Sequence, residues 1–223
     1  MNATRTPAKT PAKTSRLIAL HGYRGVGRSA IADHLVESKG YTKVSFSEKL
    51  YEDISGVFGT TPTTLRLTEA SGEPQDWLSN FHAEDPVYRD YLAQRKEDLY
   101  SPRTVQYHVE NYGIRYMDRT DPLRWVFMAV SRILALPGHN IVVPDLSARN
   151  GLREYHALQK VVTASNRELL ILSVQMPGMP VPEGGPDSLL PPYAVDDCVD
   201  NVPGTFSTTL KLVDRAVESW FGD

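Results

Sequence analysis

Residues 16–35, RLIALHGYRGVGRSAIADHL, confine the chain to folds in which a strand, a glycine-rich turn and a helix follow one another. Leu17, Ile18, Ala19 and Leu20 form an apolar run of the buried-strand type. The glycines after it let backbone N–H groups turn toward an anion with no Cβ in the way, and the following helix adds its positive end. The spacing Gly22-x-x-x-x-Gly27-Arg28-Ser29 is one residue away from the phosphate-loop pattern G-x-x-x-x-G-K-[ST]. In that pattern a lysine meets the β- and γ-phosphates and a hydroxyl holds magnesium, the places taken here by Arg28 and Ser29. Arginine keeps the charge but carries it on a bulkier, planar fork. The other reading of the same residues is a plain tight turn.

The 223 residues, 41% of them hydrophobic, suffice for one sizeable core or a core with an inserted subdomain. A net charge of −3 without a long basic block argues against a broad duplex-binding surface, while contacts with single strands or termini stay open. Cys198 is the single cysteine, which rules out an internal disulfide or a multi-cysteine zinc site and fits a reducing cytoplasm. No apolar run approaches membrane-spanning length. Residues 1–15, rich in Thr and Pro with a repeated TPAK, read as a disordered basic tail and not as a secretory signal. A transit peptide or phosphate-steering arm is the alternative.

Further along, residues 42–46 alternate like a short strand and residues 48–58 continue helically. Residues 59–100 are polar, with GTTPTT, SGEPQDW and AEDPVYRD, and read as a partly helical insertion acting as a mobile flap or subdomain. Pro102 is expected to open a helix, and a second helix is expected over about 121–134. NIVV, residues 140–143, reads as a buried strand ending in Pro144-Asp145, followed by a helix over 152–162 and a strand over 169–174. Residues 175–194 read as loop, 195–201 as a short last strand and 207–221 as an amphipathic final helix. Alternating strands and helices predict an α/β fold with a mostly parallel sheet covered on both faces.

Asp145 falls at the carboxyl end of its strand, where open α/β sheets gather ligand groups and where an acidic residue can support magnesium beside Ser29. A turn or helix cap is the alternative. Arg103, Gln106, Arg115 and Arg119 cluster in one stretch, with Arg103 and Gln106 spaced to share a helical face. A forked guanidinium suits phosphate and an amide suits a base edge; a solvated arginine face is the competing reading. Arg149 and Arg153 flank the turn after Asp145, and could neutralise transferring phosphates or lie on the surface. The six histidines show no metal-ligand spacing, and His21 beside the loop reads as a packed core residue that helps shape it. Phe46 and Trp77 are the aromatics placed to stack on a base.

In this order the pieces resemble the phage-type deoxynucleoside monophosphate kinases, a branch of the phosphate-loop kinases, over residues 16–221. The resemblance rests on GYRGVGRS, SFSEKLYEDI, SPRTVQ…YGIR…DPLRW, VVPD, MPG and DDCVDNVPGT. It implies a three-layer phosphate-loop kinase fold with an acceptor-binding insertion at about 59–100, and ATP and Mg²⁺ as donor and cofactor. It also implies donor contacts from Gly22, Tyr23, Arg24, Gly25, Val26, Gly27, Arg28, Ser29, Asn201 and Pro203. Phe46, Lys49, Arg66, Arg103, Gln106 and Arg115 would hold the acceptor. Arg28, Arg149 and Arg153 would act on the transferring phosphate, with Ser29 and Asp145 at the metal. Three positions depart from the family pattern: Arg28 stands for lysine, Ser147 for an arginine after strand three, and Met176 for an arginine after strand four.

The activity implied is phosphorylation of a deoxynucleoside monophosphate, in the cytoplasm (the host's, if the chain is phage-encoded). The partners implied are nucleotide substrates, with no duplex nucleic acid and no membrane; a homodimer is compatible with the sequence. Two rivals stand beside it. One is a kinase acting on a hydroxyl of a modified base or nucleoside, with Asp53, Glu48 or Asp118 as base. The other is a degenerate nucleotide-binding protein that has lost transfer.

Overall fold

The computed structural model describes residues 14–179 and 189–222; the basic tail and most of the Pro-rich stretch after residue 179 lie outside the described residues. In chain order the elements are β1 (Ser15–His21), α1 (Arg28–Lys39), β2 (Thr42–Lys43), α2 (Glu48–Val57), α3 (Pro62–Ser71), α4 (Pro86–Gln94) and α5 (Val105–His108). A π-helical stretch, Val109–Met117, runs on from α5 into a short turn, α6 (Asp118–Thr120). Then follow α7 (Arg124–Leu134), β3 (Ile141–Leu146), α8 (Arg149–Ser165), β4 (Arg167–Gln175), β5 (Asp197–Asp200) and α9 (Phe206–Phe221).

The strands form one sheet in the order β2-β3-β1-β4-β5, with every pair parallel. β1 lies at its centre with Leu17 to Leu20 fully buried, because side chains on both faces are covered. Alternate residues serve opposite layers. Ile18 and Leu20 pack with Ile31, Ala32 and Leu35 of α1 and Val213 and Val217 of α9. Leu17 and Ala19 pack with Ala129 and Ile133 of α7 and Leu158 and Val161 of α8. Crossovers of one hand require this: the β1–β2 and β3–β4 connections run in opposite directions along the sheet, so their helices cover opposite faces. The chain therefore leaves β1 and β4 in opposite directions, and the crevice at their carboxyl ends is the fold's natural ligand site.

Local chemistry sets several boundaries. Thr61 accepts the Thr64 N–H ahead of Pro62, and Asp85 accepts the Val87 and Tyr88 N–H groups ahead of Pro86, so each polar-proline pair starts a helix. Pro102 does not: Thr104 caps α5, and Arg103 instead pairs with Gln75 in an isolated antiparallel bridge. The expected strand over 42–46 shortens to Thr42–Lys43, because Asp145 captures the Ser45 hydroxyl and the Phe46 and Ser47 N–H groups at 2.6–3.0 Å. β3 extends past Pro144, which has no N–H to give. The β1–β3 register skips there, from Ala19–Val143 to His21–Leu146, a bulge of the kind that re-aims a side chain beside a site.

The stretch from α2 to α6 adds a helical lobe with its own core. Although 59–100 reads as a polar insertion, Leu65, Leu78, Ala83, Tyr88 and Leu92 are buried there against Leu50, Tyr51 and Ile54 of α2 and Tyr112 and Met117. His108 is completely buried in this lobe; its Nε2–H donates to the Leu78 carbonyl at 2.6 Å and its Nδ1 accepts from the Tyr88 hydroxyl at 3.3 Å. Burial, reinforced by nearby Arg103 and opposed by the Leu78 bond, lowers its pKa from 6.5 to about 4. Between those values the unfolded chain binds the proton first, so the contribution is full above the unfolded value and is lost as the pH falls through the folded one. The expected loss is about 3 kcal/mol, at about 1.4 kcal/mol per tenfold change in proton affinity. Urea unfolding at pH 7.5 and at pH 4 (about where the folded group titrates) measures it, and His108→Gln should flatten the slope.

Candidate functional site

The glycine loop leaves β1 at His21, which is fixed on both sides. Its Nδ1 faces the Leu146 carbonyl at 3.1 Å and its Nε2 faces the Leu190 N–H at 2.9 Å. A carbonyl only accepts and an amide only donates, so the ring is neutral with its proton on Nδ1. Gly22, Gly25 and Gly27 all have positive φ, at 142°, 86° and 96°. At Gly22 a Cβ would lie 2.2 Å from the Val174 carbonyl oxygen, and at Gly27 one would lie 2.7 Å from Asn201 Nδ2. Asn201 holds the loop from within: its Nδ2 donates to the Val26 carbonyl at 2.9 Å and its Oδ1 accepts from Thr209 at 3.2 Å. Asn201, expected among the donor contacts, is thus a buried strut under the loop, and Pro203 nearby is exposed.

α1 begins at Arg28 with no side-chain cap from Gly27, which leaves first-turn N–H groups to an anion or water. Among the described residues neither Arg28, half-buried, nor Ser29, exposed, has a hydrogen-bond or ion-pair partner. Ser29 lines a cavity of about 410 Å³ together with Lys43, Ser45, Ser47, Glu48, Glu52, Pro62, Arg66, Pro144 and Asp145. Ser29 and Asp145 therefore face one cavity. Asp145 accepts three hydrogen bonds from the 45–47 turn, so it is both a turn anchor and a wall of the cavity, with acceptor capacity left for one more donor.

The other charges on the cavity wall are mostly paired: Glu48 with Arg132, Glu52 with Lys49 at 3.1 Å, and Lys43 with Asp33 at 2.7 Å. Arg66 differs. Among the described residues it has no ion pair, and its guanidinium stacks on the Tyr51 ring at 4.5 Å. Burial, then the Glu69 carboxylate that accepts its proton at 2.6 Å, holds the Tyr51 hydroxyl well above the ordinary tyrosine range.

Several expected acceptor contacts are placed elsewhere. Phe46 is 3% exposed and belongs to the core against α7 and α8, so it has no face to offer a base. Lys49 bonds Asp53 at 3.0 Å as well as Glu52. Arg103 precedes α5 and does not share a helical face with Gln106; it stacks on Tyr107 at 4.4 Å and donates to the Asp98 carbonyl. Arg115 is exposed and donates to Asn111. Trp77 packs partly buried against the lobe core. Arg149 and Arg153 do not flank a turn: both lie in α8, where Arg153 donates to the Pro122 carbonyl at 3.3 Å and the Arg149 side chain is outside the described residues.

Two sets of contacts went unread in the sequence, one of them at Arg24, which was expected only to touch the donor. Arg24 reaches from the loop to Glu69 at 2.6 Å and to Gln106. Arg167, only 5% exposed, donates to the His139 and Leu136 carbonyls and caps the end of α7. Both are long-range pairings that leave no periodic trace; a basic residue inside a glycine loop was the one available signal.

No family model and no curated protein matches the chain. Among solved structures, an APS kinase CysC from Mycobacterium tuberculosis in complex with AMPPNP and APS is similar at 16% identity and a TM-score of 0.44, covering 92% of this chain and 98% of that one. A dephospho-CoA kinase from Campylobacter jejuni is similar at 13% identity and 0.44, covering 92% and 98%, and a gluconokinase from Sinorhizobium meliloti 1021 at 14% and 0.39, covering 93% and 97%. Likenesses at this level assign no activity. Among the described residues no helix is long and apolar enough to cross a membrane.

Proposed function

We propose that the chain is an ATP-dependent kinase that phosphorylates a deoxynucleoside monophosphate to the diphosphate in the cytoplasm. One observation carries this reading: a glycine loop ends in an uncapped helix whose Arg28 and Ser29 have no side-chain partner among the described residues, and Ser29 lines a cavity walled also by Asp145 and Arg66. The acceptor phosphate, with a second pKa of about 6, is mostly a dianion at neutral pH and needs no base. One of its oxygens bonds to the γ-phosphorus as the bond to the β–γ bridging oxygen breaks. The electron pair leaves with ADP, and no proton moves. The protein supplies alignment and neutralising charge, from Arg28 on the donor side and Arg66 on the acceptor side.

The donor set is all hard oxygen, which suits Mg²⁺ held by one or two protein groups and phosphates. Ser29 would ligate it and Asp145 would accept from a metal-bound water; the ion would neutralise the β- and γ-oxygens. A hydroxyl acceptor would need a free base. Glu48 is paired with Arg132, Asp53 lies between Lys49 and Arg124 at 3.0 and 2.9 Å, and the Asp118 side chain is outside the described residues. Those pairings favour a phosphate acceptor.

ADP release from ATP, assayed with each of the four common deoxynucleoside monophosphates, tests the proposal. Turnover with at least one supports it. Folded protein that binds ATP, seen as a raised melting temperature, yet transfers to none would instead be a nucleotide-binding module.

A further inference from the structure

Arg24 belongs to the glycine loop by sequence but to the helical lobe by contact. Its Nη2 donates to Glu69 Oε1 of α3 at 2.6 Å, and its Nη1 donates to Gln106 Oε1 of α5. Both lobe partners are themselves held. Glu69 Oε2 accepts the Tyr51 hydroxyl at 2.6 Å, and Gln106 Nε2 donates to Glu110 at 2.9 Å. The guanidinium is therefore aimed by two helices of the lobe while its backbone is carried by the donor loop. It thereby joins the donor loop to α3, where Glu69 lies one helical turn after Arg66 of the cavity wall.

The Arg24 side chain is 56% exposed, so its pair with Glu69 adds little to stability. What the arrangement fixes is position. A guanidinium carries five N–H donors in a rigid fork, enough to serve lobe carboxylate, amide and a phosphoryl oxygen together. We infer that, given the phosphoryl-transfer reading above, Arg24 is a further catalytic residue that contacts the transferring phosphoryl group, with Glu69 and Gln106 as its positioning residues. Charge grows on the bridging and equatorial oxygens as the γ-phosphorus passes from ADP to the acceptor oxygen. A cation carried by the donor loop and aimed by the lobe would stabilise that stage more than it stabilises bound ATP.

Steady-state kinetics of the full chain, run beside melting curves, test this. Arg24→Gln should lower kcat about 100-fold while the KM for ATP stays within about threefold. Arg24→Lys, which keeps the charge but loses the fork, should fall between. Glu69→Gln still accepts the Tyr51 proton, and should lower kcat about tenfold without lowering the melting temperature. Wild-type kcat in Arg24→Gln, a loss confined to KM for ATP, or a lowered melting temperature in Arg24→Gln or Glu69→Gln would overturn the inference and leave the kinase reading standing. Absence of transfer by the wild-type chain in the same assay would remove both.

Discussion

Arg28→Ala is expected to lower kcat for phosphoryl transfer by about 10³-fold and to leave the protein as stable as before or slightly more so. The two halves of this expectation have one cause. Arg28 is the first residue of α1, where the helix dipole disfavours a cation, and it has no partner among the described residues to offset that. Its removal should stabilise the folded state by up to about 1 kcal/mol. A structural arginine would behave in the opposite way: Arg167, buried against the end of α7, is of that kind. A polyphosphate cradled by the loop is what makes a cation at the start of α1 worth its cost to folding. Arg28→Lys should keep substantial activity, since an ammonium ordinarily serves there. Should Arg28→Lys create activity that the natural chain lacks, the chain is the degenerate binding protein. Initial-rate assays beside urea unfolding separate these outcomes.

Gly22→Ala is expected to destabilise the fold by about 3 kcal/mol and to abolish ATP binding. The alanine methyl would lie 2.2 Å from the Val174 carbonyl oxygen, at a φ of 142° that side chains rarely adopt. Val174 cannot move aside easily, because β4 is paired with β1 and β5 on either side. Gly25→Ala is the control. It also has positive φ, but among the described residues its methyl would meet only Met179 at 3.7 Å, so a cost of about 1 kcal/mol for the backbone alone is expected. Calorimetric titration with ATP and thermal melts of both variants measure the contrast.

The parts of this site that were legible in the sequence are those written locally. Leu17–Leu20 followed by spaced glycines and Arg28-Ser29 specify strand, loop and helix within twenty residues, and Asp145 announces itself by ending an apolar strand. The convergence of Ser29 and Asp145 in one cavity follows from the parallel sheet that this alternation predicts. What stayed hidden depends on residues far apart in the chain. Nothing near Asn201 says that its amide will bond Val26, and nothing near Glu69 says that Arg24 will reach it. The core beneath the insertion was hidden for a related reason. Leu65, Leu78, Tyr88 and Leu92 are scattered singly among polar residues, and they become a core only when α2 supplies the other side. Phe46 misled in the opposite sense, because an aromatic beside the cavity's turn is equally suited to fill the space beneath it.

A crystal structure with a non-hydrolysable ATP analogue and Mg²⁺ bears most directly on whether the main chain of the first turn grips a triphosphate. The β- and γ-phosphate oxygens should lie within hydrogen-bonding distance of N–H groups from Gly25 to Ser29, with the Arg28 guanidinium on the same oxygens. An analogue seated elsewhere, with that turn unchanged and Arg28 facing solvent, would contradict the account.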